Sequence, residues 1–217
     1  ITNPSVNAEV VELLKVPKIA VYSPKTAQPW DDAVTMVLES AGIPYDVVFD
    51  DEVLSDKLPQ YNWLHLHHED FTGQFGKFWA SYRNAPWYIN QVAEAKEVAE
   101  KYGFSKVSEL KLAVSKKIRD FTMGGGFLFA MCSAPDSYDV ALSAEGVDIC
   151  ERMFDGDPIA SNAQVKLNYD KAFAFKDFNI ELNPMRYEIS NIDIDPRTRR
   201  VKEANDLFAL IEFSAKW

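Results

Sequence analysis

The chain has 217 residues, 47% hydrophobic and 26% charged, a composition that excludes a disordered acidic tail or a fibre and fits one large domain or two small ones. Lys and Arg number 23 against 33 Asp and Glu, a net charge of −10, so nucleic acid and anionic lipid would meet a repelling field. Neutral, cationic or metal-bearing partners are easier to accommodate. Three histidines (His65, His67, His68) and two cysteines (Cys132, Cys150) are all that cysteine or metal chemistry can use.

Two cysteines are too few for a disulfide scaffold, although one bridge between Cys132 and Cys150 is an open alternative. No apolar run approaches the ~20 residues that span a bilayer. The chain begins at Ile1 with polar Thr2-Asn3-Pro4-Ser5 and no basic-then-apolar leader. At the other end an apolar run, Leu207-Phe208-Ala209-Leu210-Ile211-Glu212-Phe213, nearly reaches Trp217, so both ends read as truncated.

In chain order, Lys18-Ile19-Ala20-Val21-Tyr22, bounded by Pro17 and Ser23-Pro24, reads as a buried strand. Asp31 is the expected cap of a helix whose apolar positions Val34, Val37, Leu38 and Ala41 follow a helical spacing and which Gly42 and Pro44 end. Tyr45-Asp46-Val47-Val48-Phe49 is the second strand, a short helix is expected over 51–58, and residues 61–68 form the third strand. Phe71, Phe75, Phe78 and Tyr82 are spaced as one face of a helix, read as packing on the sheet or, alternatively, as an aromatic lid. Two helices follow, one striped by Val92, Ala95, Ala99 and Tyr102 and stopped by Gly103. The other is striped by Leu110, Val114, Ile118 and Phe121 and stopped by Gly124-Gly125-Gly126. Strands alternating with helices predict an α/β fold, a mostly parallel sheet with helices on both faces and a helical insertion after the third strand. Beyond Cys150, alternation in Ala172-Phe173-Ala174-Phe175, Tyr187 to Ile189 and Ile192 to Ile194 predicts a β-rich extension, and 195–200 is a basic turn.

Chemistry concentrates in two places. Gly126-Phe127-Leu128-Phe129-Ala130-Met131-Cys132-Ser133-Ala134-Pro135-Asp136 runs an apolar strand into a cysteine, small residues and a proline suited to a helix's first turn, the layout of a nucleophile elbow. A thiol there lies at the positive end of a helix, which favours thiolate, beside N–H groups that suit an oxyanion. The alternative is a buried structural cysteine. The second place is His65-Leu66-His67-His68-Glu69-Asp70, which ends a strand where open α/β sheets carry their sites. His67 or His68 is the candidate base for Cys132, with Glu69 or Asp70 orienting the ring. Core histidines beside Trp63 are one alternative. A zinc site completed by Cys132 is another, although the sequence requires no cofactor. Ser133, Thr72 and Gln74 are candidate ligand-binding residues, while Thr72-Gly73-Gln74-Phe75-Gly76 lacks the Gly-Lys-Ser/Thr ending of a phosphate loop.

The segments Lys15 to Pro24, Pro29-Trp30-Asp31-Asp32-Ala33-Val34, Trp63 to Gln74 and Gly125 to Cys132 resemble a family of Bacteroidetes proteins catalogued as asparagine synthetase B. The elbow resembles the class I glutamine amidotransferase-like superfamily. That resemblance implies a three-layer flavodoxin-like sandwich over 1–150, with 151–217 continuing the same domain, a cysteine nucleophile, and a small-molecule or amide substrate. It also implies an exported protein, periplasmic or in the cell envelope, with further segments at both ends. The ATP-pyrophosphatase loop and N-terminal Cys of true asparagine synthetases are absent, so asparagine synthesis is not the expected activity. The superfamily's Gly-x-Cys-x-Gly is here Ala130-Met131-Cys132-Ser133-Ala134, and no His follows His68, so the usual Cys…His-Glu order is not available. A rearranged Cys–His dyad is the first reading, a non-catalytic ligand- or glycan-binding module in the same crevice the second, and a metal site at the His cluster the third.

Overall fold

A computed structural model of the chain describes residues 16–25, 27, 28 and 31–192. Four short strands, β1 (Ile19–Tyr22), β2 (Tyr45–Val48), β3 (Trp63–Leu66) and β4 (Phe127–Ala130), pair in parallel in the order β2-β1-β3-β4. The register places Val21 beside His65 and His65 beside Phe129. A parallel neighbour needs a crossover, and the helices supply it. Helix α1 (Ala33–Ala41) joins β1 to β2 on one face. Opposite it lie α2 (Asp50–Leu54), the long α5 (Val107–Met123) and α6 (Ala134–Ser143).

The two faces bury different sets. Ala20, Tyr22, Leu64 and Leu66 pack with Val53, Val114, Ile118, Tyr138 and Leu142 in the main core, all at or near zero exposure. Burying a side chain of this size fully is worth about 1.5–3 kcal/mol, so this face of the sheet contributes more to stability than the opposite one. Ile19 and Val21 face Leu38 and Val34 of α1, with Tyr45 and Trp63 alongside. The same face of edge strand β4 is less covered, leaving Phe127 and Phe129 exposed.

The helix cap moves one residue from the expected place. Asp32, not Asp31, is the N-cap of α1, its Oδ1 accepting from Val34 N at 2.6 Å and Thr35 N at 3.4 Å. The short helix expected over 51–58 is divided into α2 and a 3₁₀ turn, Leu58–Gln60.

The insertion after β3 departs further. The expected aromatic helix from Phe71 to Tyr82 does not form. Phe75, Gly76 and Lys77 all take left-handed φ angles of 53°, 62° and 54°, which no right-handed helix contains, and only α3 (Trp79–Tyr82) is helical. Asp70 holds this path by accepting from Thr72 N, Thr72 Oγ1 and Gly76 N at 2.7, 2.6 and 2.9 Å. Helices α4 (Pro86–Lys101) and α5 follow as the spacing predicts.

After α6, the described residues carry α7 (Arg152–Asp155), α8 (Ala163–Lys166) and one isolated antiparallel bridge, Ile180 to Ser190. The strands expected at 172–175 and 187–189 are not formed. The N–H groups of Phe173, Ala174 and Phe175 donate instead to the buried carboxylate of Asp139, at 2.7, 2.8 and 2.6 Å, which removes them from any ladder. Residues 193–194, the basic turn at 195–200 and the apolar run at 207–213 lie outside the described residues. Cys132 and Cys150 are not bridged; Cys150 is buried and its thiol donates to Thr72 O at 3.3 Å. No helix among the described residues is long and apolar enough to cross a membrane.

Candidate functional site

In an open parallel sheet the crevice opens at the carboxyl ends of the strands, where successive connections leave in opposite directions. Here that point lies between β1, whose chain turns into α1 at Asp32, and β3, whose chain leaves through His67 and His68. The turn between β4 and α6 meets it from the other side of β3. Met131 N donates to Leu66 O at 3.1 Å and Ala134 N to His67 O at 3.3 Å, while Ser133 Oγ donates to His68 O at 3.2 Å and Ser137 Oγ to Glu69 O at 2.8 Å. The 66–69 and 131–137 backbones are thereby tied residue by residue.

Cys132 is exposed and has a φ of 56°. A left-handed conformation in a residue other than glycine is strained, and it is the backbone of a sharp strand-to-helix turn that lifts a side chain above the sheet. Replacing Cys132 with Gly removes the steric penalty while adding backbone entropy to the unfolded chain. Urea unfolding is expected to show a net gain of about 0.5–1 kcal/mol. Of the N–H groups expected to hold an oxyanion, those of Met131 and Ala134 are already bonded to carbonyls and Pro135 has none. Those of Cys132 and Ser133 remain.

The three histidines do not act alike. His65 is fully buried; its Nε2 lies 2.9 Å from Asp32 Oδ2, its ring stacks on Phe129, and its Nδ1 has no partner. His67 Nδ1 sits 3.7 Å from the same Asp32 oxygen and hydrogen-bonds His68 Nδ1. Burial pushes the His67 ring below the usual imidazole range; Asp32 opposes this and His68 reinforces it. Burial raises the Asp32 carboxyl, but the His65 hydrogen bond, the Val34 N–H and the two neighbouring rings outweigh it and hold Asp32 below the ordinary range.

The carboxylate beside the rings is therefore Asp32. Glu69 and Asp70, expected to orient the base, bond elsewhere. Glu69 Oε2 accepts from the His67 backbone N–H at 3.3 Å, and burial pushes its carboxyl up; Asp70 is spent on the Thr72–Gly76 turn. Thr72 and Gln74 are buried, with Gln74 Nε2 donating to Thr72 Oγ1, so they organise this segment from inside. Gly73 is explained by close approach: a Cβ there would meet Ser108 N at 2.7 Å. Ser133 lines a small cleft beside the β4–α6 turn, with His68, Glu69, Ser137, Phe78 and Tyr187. No hydrogen bond among the described residues joins Cys132 Sγ to either candidate base. A larger cavity, about 440 Å³, lies at the opposite, amino ends of β3 and β4, among Leu58, Tyr61, Phe121 and Gly126, and touches none of this chemistry.

Among the described residues, three metal-ligand atoms converge at Asp148, Cys150 and Asp155 rather than at the histidines. Lys106 Nζ already occupies the acidic side of that group, 2.5 Å from Asp148, 2.9 Å from Asp155 and 3.0 Å from Asp157. Those three carboxylates push Lys106 far above the ordinary lysine range, against the opposing effect of burial. The group is a salt-bridged knot.

No family model, curated protein or solved structure matches the chain. Asp32 is the residue that sequence reasoning passed over. Its signal was present in Asp31-Asp32-Ala33, where either aspartate can cap the helix that follows, but only the fold brings Asp32 to β3.

Proposed function

We propose that the protein is a cysteine-dependent hydrolase of the glutamine amidotransferase-like kind, acting on an amide. The observation that carries the reading is Cys132 itself: an exposed thiol at φ 56° on a strand-to-helix turn at the carboxyl ends of a parallel sheet, hydrogen-bonded through its neighbours to the His67–His68 backbone. In the reaction, the Cys132 thiol proton passes to His67 and sulfur bonds to the carbonyl carbon. The tetrahedral oxyanion faces the free N–H groups of Cys132 and Ser133. Its collapse breaks the C–N bond, and the amine leaves with the proton held by histidine. Water then cleaves the thioester, releasing the acid and restoring the thiol. General-base contacts of this kind tighten when substrate binds, so the absence of a Cys–His hydrogen bond does not conflict with the role.

The test is the rate of iodoacetamide labelling against pH, read by mass spectrometry. Cys150 is the internal control, since burial, then the nearby carboxylates, push its thiol well above the ordinary range. Cys132 is expected to label rapidly at pH 7 and Cys150 not at all while the chain is folded. A Cys132 that labels only as fast as an ordinary thiol of pKa ~8.5 would refute an activated nucleophile. The second reading, a ligand-binding module using the same cleft, is favoured by the unbonded Cys132 sulfur and would then stand.

A further inference from the structure

The geometry points to a locked pair of tautomers at His67 and His68, in which His67 is the base-bearing ring and His68 the proton-donating one. The two rings meet Nδ1 to Nδ1, edge to face, with centroids 4.6 Å apart. Two imidazole nitrogens can hydrogen-bond only if one carries a proton and the other a lone pair. One proton therefore serves both Nδ1 atoms, and the neutral rings must be opposite tautomers. Whichever ring holds the Nδ1 proton has a bare Nε2, a base. The other has an Nε2–H, a donor.

Asp32 decides the order. Its Oδ2 lies 3.7 Å from His67 Nδ1, and a positive N–H edge is favoured beside a carboxylate. His68 is the exposed ring of the pair and is not among the groups Asp32 contacts. The proton therefore resides on His67 Nδ1, which leaves His67 Nε2 as the lone pair and His68 Nε2 as the N–H. Burial, the dominant influence on His67, disfavours a doubly protonated ring, and His68 adds to that. Asp32 and Glu69 act the other way, and His65 adds weakly to the lowering. The role of this pair in acyl transfer rests on the hydrolase reading: His67 Nε2 takes the thiol proton, while His68 Nε2–H, on the wall of the cleft, offers a hydrogen bond to the substrate. Asp32 is a positioning residue for both.

With only three histidines in the chain, ¹⁵N NMR of ring-labelled protein at about pH 8 reads every ring separately. His68→Gln, at an exposed position, assigns the signals by loss. The expected pattern is a bare Nε2 and protonated Nδ1 on His67, the reverse on His68, and scalar coupling between the two Nδ1 nitrogens. Two equal tautomers, two protonated Nε2 atoms or the reversed pair would each overturn the proposal. His67→Gln is further expected to slow alkylation of Cys132 at neutral pH about tenfold or more. An unchanged rate would overturn the assignment of His67 as the base. The failures are distinguishable: a Cys132 unreactive in the unaltered protein removes the hydrolase reading, whereas the ring assignment stands or falls on the nitrogen spectrum.

Discussion

Lys111→Met is expected to lower the unfolding free energy by about 3–5 kcal/mol, because it leaves a buried carboxylate without its cation. Asp50, which starts α2, and Lys111, in the first turns of α5, are both buried, and Lys111 Nζ lies 2.9 and 2.8 Å from the two Asp50 oxygens. Tyr22, at the end of β1, closes the group: its hydroxyl donates to Asp50 and accepts from Lys111 at 2.9 Å. Burial, then the Asp50 charge, push the phenol well above its ordinary range, so it remains a donor at any pH the protein meets. The ammonium also stands 4.4 Å from the Phe49 ring centroid, which adds a cation–π contact. A methionine fills the volume but supplies no proton and no charge. Partial rescue by Asp50→Asn separates electrostatics from packing: the double variant is expected to be more stable than Lys111→Met alone in urea unfolding. Strict additivity of the two losses would contradict a coupled network. The triangle links β1, α2 and α5 under the carboxyl ends of the strands, and Lys111 opposes the upward push that burial gives Glu69.

Periodicity made the sheet and the two long helices legible, because apolar spacing and terminal glycines agree there. Leu110, Val114, Ile118 and Phe121 all point into cores, as their spacing predicts. It failed where polar groups redirect the backbone. Nothing in the spacing of Phe71, Phe75, Phe78 and Tyr82 reveals that Asp70 accepts three hydrogen bonds from the turn, or that Lys77 reaches Glu181 O at 2.5 Å and Glu188 O at 2.6 Å, 104 and 111 residues away. The same holds at 173–175, where one buried Asp139 takes three N–H groups from what alternation reads as a strand. The strand-to-helix turn at Cys132 was legible as small residues around a cysteine followed by proline. The carboxylate for the histidines was not, since the adjacent Glu69 and Asp70 are the natural choice in sequence, and Asp32 arrives only through the β1–β3 pairing.

Asp32→Asn is expected to destabilise the fold by about 2 kcal/mol although asparagine is an excellent helix cap. The two carboxylate oxygens do different things: Oδ1 caps α1, and Oδ2 accepts from His65 Nε2 at 2.9 Å. The His65 proton therefore sits on Nε2, leaving at Nδ1 a bare lone pair in the core, which is far less costly than an orphaned N–H. If asparagine keeps its oxygen on the cap, its amide faces Nε2 and the proton must move to Nδ1, where no partner exists. If it turns over to serve His65, two amide hydrogens face the Val34 N–H and the cap is lost. Neither orientation satisfies both demands. The acid dependence follows from the same residue. Asp32 titrates below an ordinary aspartate value of 3.8 in the folded chain, so its stabilisation is complete above that value and is lost as pH falls through the folded one. The gap between the unaltered protein and Asp32→Asn in denaturant unfolding should accordingly be full at pH 7 and shrink only as the pH falls below 3.8. Removing the charge also removes the preference for the Nδ1 proton on His67. Alkylation of Cys132 should slow and the His67 and His68 nitrogen signals should move toward a common value. A variant that loses stability but keeps both the labelling rate and the split tautomers would confine Asp32 to the helix cap.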